Sequence, residues 1–160
     1  MENEAKKLVA CAVEAHKSMM DELLDSGVEI IAQMAEVIGS ALAGGHTIFL
    51  CVLSCIANDY SYDTVFSRQV EALVRQGDVL WAFSTSGTSP NVVKAAQAAK
   101  EKDAAVLAFT GRPDSTLERI ADVCLCTEHE MTARSQEVHQ LAYHVICELV
   151  ERRFCETATD

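Results

Sequence analysis

Apolar residues recur at helical spacing through the first quarter of the chain. Leu8, Ala12, Ala15 and Met19 fall on one stripe, and Ile30, Ile31, Met34, Ala35, Ile38 and Leu42 on another. This i, i+3, i+4, i+7 recurrence predicts two amphipathic helices, each with one face turned to a core. Asp25-Ser26-Gly27 predicts a break between them, and Ala43-Gly44-Gly45 a glycine stop after the second. Beyond residue 45 the pattern changes to short apolar runs separated by turn residues. His46–Cys51, Val79–Phe83, Ala105–Thr110 and Asp122–Thr127 read as buried parallel strands. Helices are predicted between them: residues 52–76, broken near Asn58-Asp59; Pro90–Lys102, with proline at the first helical position; and Ser115–Ala121, with Ser115 as N-cap and Glu118 three residues on. A last helix runs from Thr132 to Phe154, with Val138, Leu141, Ala142, Val145, Ile146, Leu149 and Val150 as its apolar face.

Strands that alternate with helices predict an α/β fold in three layers, a parallel sheet flanked by helices. A length of 160 residues fits a single domain over residues 1–160. The helices of residues 5–43 would pack on its core or on a neighbouring subunit. Trp81, in a central strand, is expected in that core.

Charge narrows the functions. Thirteen Lys and Arg stand against 24 Asp and Glu, a net charge of −11. Such a chain would be repelled by phosphate backbones and by anionic membrane surfaces, so neither nucleic acid nor membrane is an expected partner. No run of about 18 apolar residues is seen, so no transmembrane helix is expected, and Met1–Lys7 has no signal-peptide pattern. Seven cysteines, an odd number without a CxxC pair, read as reduced and buried thiols of a cytoplasmic protein.

The segment with chemistry is Ser84-Thr85-Ser86-Gly87-Thr88-Ser89-Pro90-Asn91. It leaves the carboxyl end of a predicted strand and opens a helix, the place where open parallel sheets bind ligands. A helix N-terminus offers unpaired N–H groups and partial positive charge, and hydroxyls around it complete a neutral cradle for phosphate. The same residues would also serve as an ordinary capped loop.

The run STSGTSPNVVKAAQAAKEKDAAVLAFTG over residues 84–111 resembles the core of a sugar isomerase (SIS) domain. Residues 56–80, IANDYSYDTVFSRQVEALVRQGDVL, and 133–151, ARSQEVHQLAYHVICELVE, are similar to the phosphoheptose isomerase branch of that family. The resemblance covers nearly the whole chain and implies a sheet of flavodoxin-like (SIS) order. It implies interconversion of sedoheptulose 7-phosphate and D-glycero-D-manno-heptose 7-phosphate, a step in bacterial heptose and lipopolysaccharide-precursor synthesis. By the same resemblance Ser84, Thr85, Ser86 and Ser89 grip the phosphate, and Asn58 and Asp59 touch substrate. Gln136 would bind both substrate and zinc, and His144 would be a zinc ligand and the catalytic acid. The partners implied are a phosphorylated seven-carbon sugar and further copies of the chain, as a tetramer with sites at subunit interfaces.

One departure from that pattern stands out. The family follows its first strand with a glycine loop, a helix bearing a metal-binding His and a catalytic Glu, and a second, edge strand. Here Leu50-Cys51 runs directly into Val52, and no glycine lies between Gly45 and Gly77. The sheet survives such a loss, because the absent strand is an edge. Set against the family pattern, the loss implies an impaired isomerisation, since that reaction needs a base to move a proton and an acid or metal to stabilise the enediolate. Zinc would lack its usual three protein ligands, unless His139, Glu137 or a neighbouring subunit supplied one. The alternative reading is a non-catalytic SIS-fold protein that binds a phosphosugar or bridges protein partners.

Overall fold

The structure, a computed structural model, describes residues 2–50, 61–129 and 131–156. It opens on helix α1 (Glu2–Glu22), which passes through a π-helical turn (Leu23–Gly27) into α2 (Val28–Ala43). The predicted break at Asp25-Ser26-Gly27 is therefore corrected: the chain stays helical through it, with Gly27 at φ −88° and ψ −23°. Close packing accounts for the wider turn. Gly27 is buried, and a Cβ there would lie 2.4 Å from the Leu23 side chain and 3.5 Å from Leu125. A π turn adds a residue without ending the helix. By length and composition the continuous Val13–Ala43 helix, of mean hydropathy 1.2, would reach across a membrane. On it Ile31, Met34 and Ile38 are buried in the core, while Val13, Leu24, Val28 and Leu42 are exposed.

The glycine stop forms as expected. The His46 N–H donates to the Ala41 carbonyl and the Gly45 N–H to Leu42, the paired bonds of a Schellman motif, with Gly45 at φ +78°. Strand β1 (Ile48–Leu50) follows, then a 3₁₀ turn (Tyr62–Thr64), α3 (Ser67–Leu73), β2 (Val79–Ser84), α4 (Pro90–Glu101), β3 (Ala105–Thr110), α5 (Thr116–Ile120), β4 (Val123–Cys126) and α6 (Thr132–Glu156). The helix expected over 52–76 is reduced, among the described residues, to the 3₁₀ turn and α3. The rest of that expectation lies outside them.

The four strands form one parallel sheet in the order β1-β2-β3-β4, with Val79 beside Ala105 and Ser84 beside Thr110. Alternation along the strands sends side chains to two cores. Leu80, Ala82, Val106 and Ala108 meet α3, α4 and α5 on one face. Val79, Trp81, Leu107 and Phe109 meet α2 and α6 on the other. Alanines 95, 96 and 99 of α4 are wholly buried, and their small volume lets that helix lie close to the sheet. Trp81 is 3% exposed, as expected of a core residue.

Two expectations about faces are corrected. Leu141 and Leu149, assigned to the buried stripe of α6, are 43% and 40% exposed, while Val138, Ala142 and Ile146 are buried. The buried row, Val138, Ala142 and Ile146, is narrower than the seven-residue stripe. The thiols are not uniformly buried either. Cys11, Cys147 and Cys155 are free and exposed, Cys124 and Cys126 half-buried and free. Cys51 and Cys55 lie outside the described residues.

Candidate functional site

The loop from β2 to α4 folds back on itself through its serines. Ser84 Oγ donates to Ser89 Oγ at 3.0 Å, Ser86 Oγ lies 3.2 Å from Ser89 Oγ, and Ser84 Oγ lies 3.3 Å from Ser86 Oγ. The backbone ties the triangle down: the Gly87 N–H donates to Ser84 Oγ (3.1 Å) and the Thr88 N–H to Ser86 Oγ (3.3 Å). Ser89 is the N-cap of α4, yet its side chain accepts no capping bond; its carbonyl takes the N–H groups of Val92 and Val93 instead. Its hydroxyl is thus turned to the other serines at the positive end of a twelve-residue helix.

Glycine is required at the turn. Gly87 sits at φ +62°, and a Cβ there would be 2.2 Å from Ser115 Oγ. The Gly87 carbonyl accepts the Leu117 N–H at 2.9 Å, which fastens the loop to α5. Ser115 caps α5 by accepting the Glu118 N–H at 3.3 Å, as the sequence suggested.

Beyond the carboxyl ends of β2 and β3 lies a cavity of about 520 Å³, within the range of small-ligand sites. Ser84, Thr85 and Ser89 form one wall; Gln136, His139, Gln140 and Tyr143 of α6 form the other, over Phe83. Among the described residues no Lys or Arg lines it. A bound anion would be held by hydroxyls, amides and helix polarity rather than by opposite charge.

Behind it, Trp81, Phe83, Phe109 and Tyr143 interlock, with Phe83 and Phe109 rings 5.0 Å apart and Trp81 and Tyr143 rings 5.7 Å apart. His139 is 5% exposed; its ring lies 5.2 Å from that of Phe109, and its Nε2 is 3.1 Å from the Thr110 carbonyl. Burial holds its pKa below 6.5, against a smaller upward pull from Thr110, so the imidazole is neutral near pH 7. Cys124, near the far end of β4, is pushed up to about 11 by burial and stays a thiol.

Of the residues the sequence singled out, the cavity brings together Ser84, Thr85, Ser89 and Gln136, with Ser86 joined through the serine triangle. His144 does not line it. It is exposed, one step past Gln140 on the same helical row, with its ring 5.1 Å from that of Tyr143. Asn58 and Asp59 lie outside the described residues. Phe83, Gln140 and Tyr143 were missed. The signal was there for the last two: counted from Gln136 they fall at i+4 and i+7, the face that must look the same way.

Zinc does not fit the described residues. Gln136 and His144 are eight positions apart, about 12 Å along the helix axis. Among the described residues no three His, Cys, Asp or Glu side chains converge as a metal site. Of the third-ligand candidates on α6, Glu137 is engaged: it accepts from Arg134 and lies 2.7 Å from His16 Nδ1, and the His16 contact chiefly holds its carboxyl below the usual range. His139 holds the Thr110 carbonyl through Nε2 and keeps Nδ1 open, but among the described residues neither His144 nor a carboxylate lines the cavity with it.

Fold and cavity together define an open parallel α/β domain with a serine-lined pocket beyond the carboxyl ends of its inner strands. Residues 53–111 match the profile of the SIS domain. Phosphoheptose isomerase from Roseiflexus sp. (strain RS-1) is 49% identical over 105 residues, and that from Thiobacillus denitrificans 52% over 102. These matches take in 66% and 62% of this chain but 53% and 52% of the relatives, so the chain spans about half their length. The structure of a phosphoheptose isomerase from Neisseria gonorrhoeae superposes with a TM-score of 0.88 at 32% identity, over 92% of this chain and 99% of that one. The chain belongs to the SIS-domain family, on its phosphoheptose isomerase branch.

Proposed function

We propose that the chain binds a phosphorylated seven-carbon sugar and acts as an aldose–ketose isomerase between sedoheptulose 7-phosphate and D-glycero-D-manno-heptose 7-phosphate. The observation that carries this reading is the serine triangle at the start of α4, opening into the same cavity as Gln136. Ser84, Thr85, Ser86 and Ser89 hold the phosphate oxygens, and the α4 N-terminus favours the dianion. Gln136 and Gln140 offer amide donors and acceptors to the hydroxylated carbon chain. Enolisation needs a proton acceptor beside the reacting carbons. Among the described residues the cavity lining contains no carboxylate, and no step is assigned through zinc. His144, exposed on α6 one turn beyond Gln140, is the proposed proton donor.

That same lining favours a second reading: a protein that binds the phosphosugar without turning it over. One experiment separates them. The purified chain, its intact mass confirmed as 17.4 kDa, is supplied with zinc and sedoheptulose 7-phosphate. Turnover abolished by His144→Ala supports the isomerase. Binding without turnover decides for the second reading, and no binding refutes both. Ser89→Ala should weaken phosphate-ester binding about 10-fold, the worth of one hydrogen bond to a charged oxygen.

We also propose a homo-oligomer, of tetrameric size, in the bacterial cytoplasm. The apolar side chains left exposed on the long helices, Val13, Leu24, Val28, Leu141 and Leu149, support association. Light scattering on the purified chain tests it, and a monomer at micromolar concentration refutes it.

A further inference from the structure

His139 is buried, titratable and unused by the reaction as proposed. A carbonyl oxygen only accepts, so the 3.1 Å contact with Thr110 places the hydrogen on Nε2. A neutral imidazole protonated there leaves Nδ1 as a hydrogen-bond acceptor. Among the described residues no donor reaches Nδ1, and it is not one of the sealed, unpartnered polar atoms. It therefore has access to the cavity that His139 lines. The ring is fixed in place by the Thr110 carbonyl on one side and Phe109 on another. Gln136 and Gln140, by contrast, are exposed side chains free to turn.

Position sets what this acceptor can reach. Thr110 and Ser84 are register partners at the carboxyl ends of adjacent strands, about 4.8 Å apart. The imidazole thus shares one cavity with Ser84, Thr85 and Ser89. A ligand whose phosphate sits among those hydroxyls brings the hydroxyls of its carbons into the space that His139 lines.

We propose that His139 is a specificity-determining residue whose Nδ1 accepts a hydrogen bond from a sugar hydroxyl, so that the cavity selects polyhydroxylated phosphate esters over phosphate itself. The assignment rests on the phosphosugar reading above. His139→Phe keeps a ring of similar size but no acceptor. His139→Gln keeps a donor for Thr110 and an acceptor beside it.

The test compares binding of inorganic phosphate and of sedoheptulose 7-phosphate to the full chain. His139→Phe should weaken the sugar phosphate about 3- to 10-fold, one neutral hydrogen bond, with inorganic phosphate unchanged, and His139→Gln should restore the loss. On the unaltered protein, the ¹⁵N resonance of Nδ1 should move when the sugar phosphate is added and stay when inorganic phosphate is added. This second readout holds even where the phenylalanine variant does not fold. Equal loss of both ligands in a folded variant, or an Nδ1 signal indifferent to the sugar, overturns the assignment. Failure of the unaltered chain to bind either ligand overturns the phosphosugar reading, and this one with it.

Discussion

Gly87 matters more to the site than its missing side chain suggests. Its left-handed backbone lets the loop turn between Ser86 and Thr88, and the space where a Cβ would go is filled by Ser115. Gly87→Ala must strain φ or displace Ser115, and with it the cap of α5. We expect a loss of about 2–3 kcal/mol, read as a lower urea midpoint, together with weaker phosphate binding. A second expectation concerns acid. His139 is held neutral in the fold below its ordinary 6.5, so between that value and the lowered one the unfolded chain binds more protons. Stability is full above about pH 6.5 and falls as the pH drops through that window. Urea midpoints should show the decline, and His139→Gln should flatten it. Glu137, whose carboxyl is held below its ordinary 4.5 by His16 and Arg134, adds its own loss only below that value. At this scale the serine loop was legible as the hydroxyl-rich turn from a buried strand into α4, a pattern that fits a capped loop and a phosphate cradle alike. His139 was not, because a histidine beside an apolar stripe reads the same whether it fills space or faces a ligand.

Elements were easier to read than the faces they present. The strands β2 and β3 announced themselves as apolar runs, and the glycines after α2 as a stop. The continuity of α1 and α2 was hidden, since Asp25-Ser26-Gly27 carries every local mark of a turn. What overrides it is tertiary: Leu125 of β4 lies against Gly27. Helix α6 shows the same limit. Ile146 and Leu149 look alike in sequence, yet one is fully buried between α2 and the sheet and the other is 40% exposed. Ile146→Ala should therefore cost about 2–5 kcal/mol, through lost transfer energy and a cavity. Leu149→Ala should change the stability of the isolated fold by less than about 0.5 kcal/mol. Equal effects in denaturant unfolding at low protein concentration would show that Leu149 is covered in the folded unit.

The whole molecule carries a net charge of −11, and among the described residues no Lys or Arg lines the cavity. An anionic ligand must approach through a repulsive field and is then held by neutral groups. Added salt screens the first and barely touches the second. Affinity for inorganic phosphate should thus hold steady or rise as sodium chloride goes from about 10 to about 150 mM, where the Debye length shrinks from roughly 30 to 8 Å. A steep fall instead would reveal cationic groups at the site, brought from another copy of the chain. The class of fold could be read at this scale from the alternation of periods alone, and the family from three motifs in order. The closure of the site could not, because cavity walls come from β2 and α6, some fifty residues apart in sequence, and only packing brings them face to face.

Asp78, buried just before β2, takes the Thr47 N–H on one carboxylate oxygen at 2.7 Å and the Arg75 N–H on the other at 2.8 Å. With the Val79 N–H on the Thr47 carbonyl, this carboxylate pins the two ends of the excursion that begins with β1 and ends at β2. The span between them carries β1 in the sheet and α3 in the core, so its base and both of its packed elements are held independently of the connection from Leu50 to Tyr62. Doubling the length of that connection would raise the entropic cost of closing it by only about 0.6 kcal/mol. Residues added there would leave the register of β1 on β2 in place.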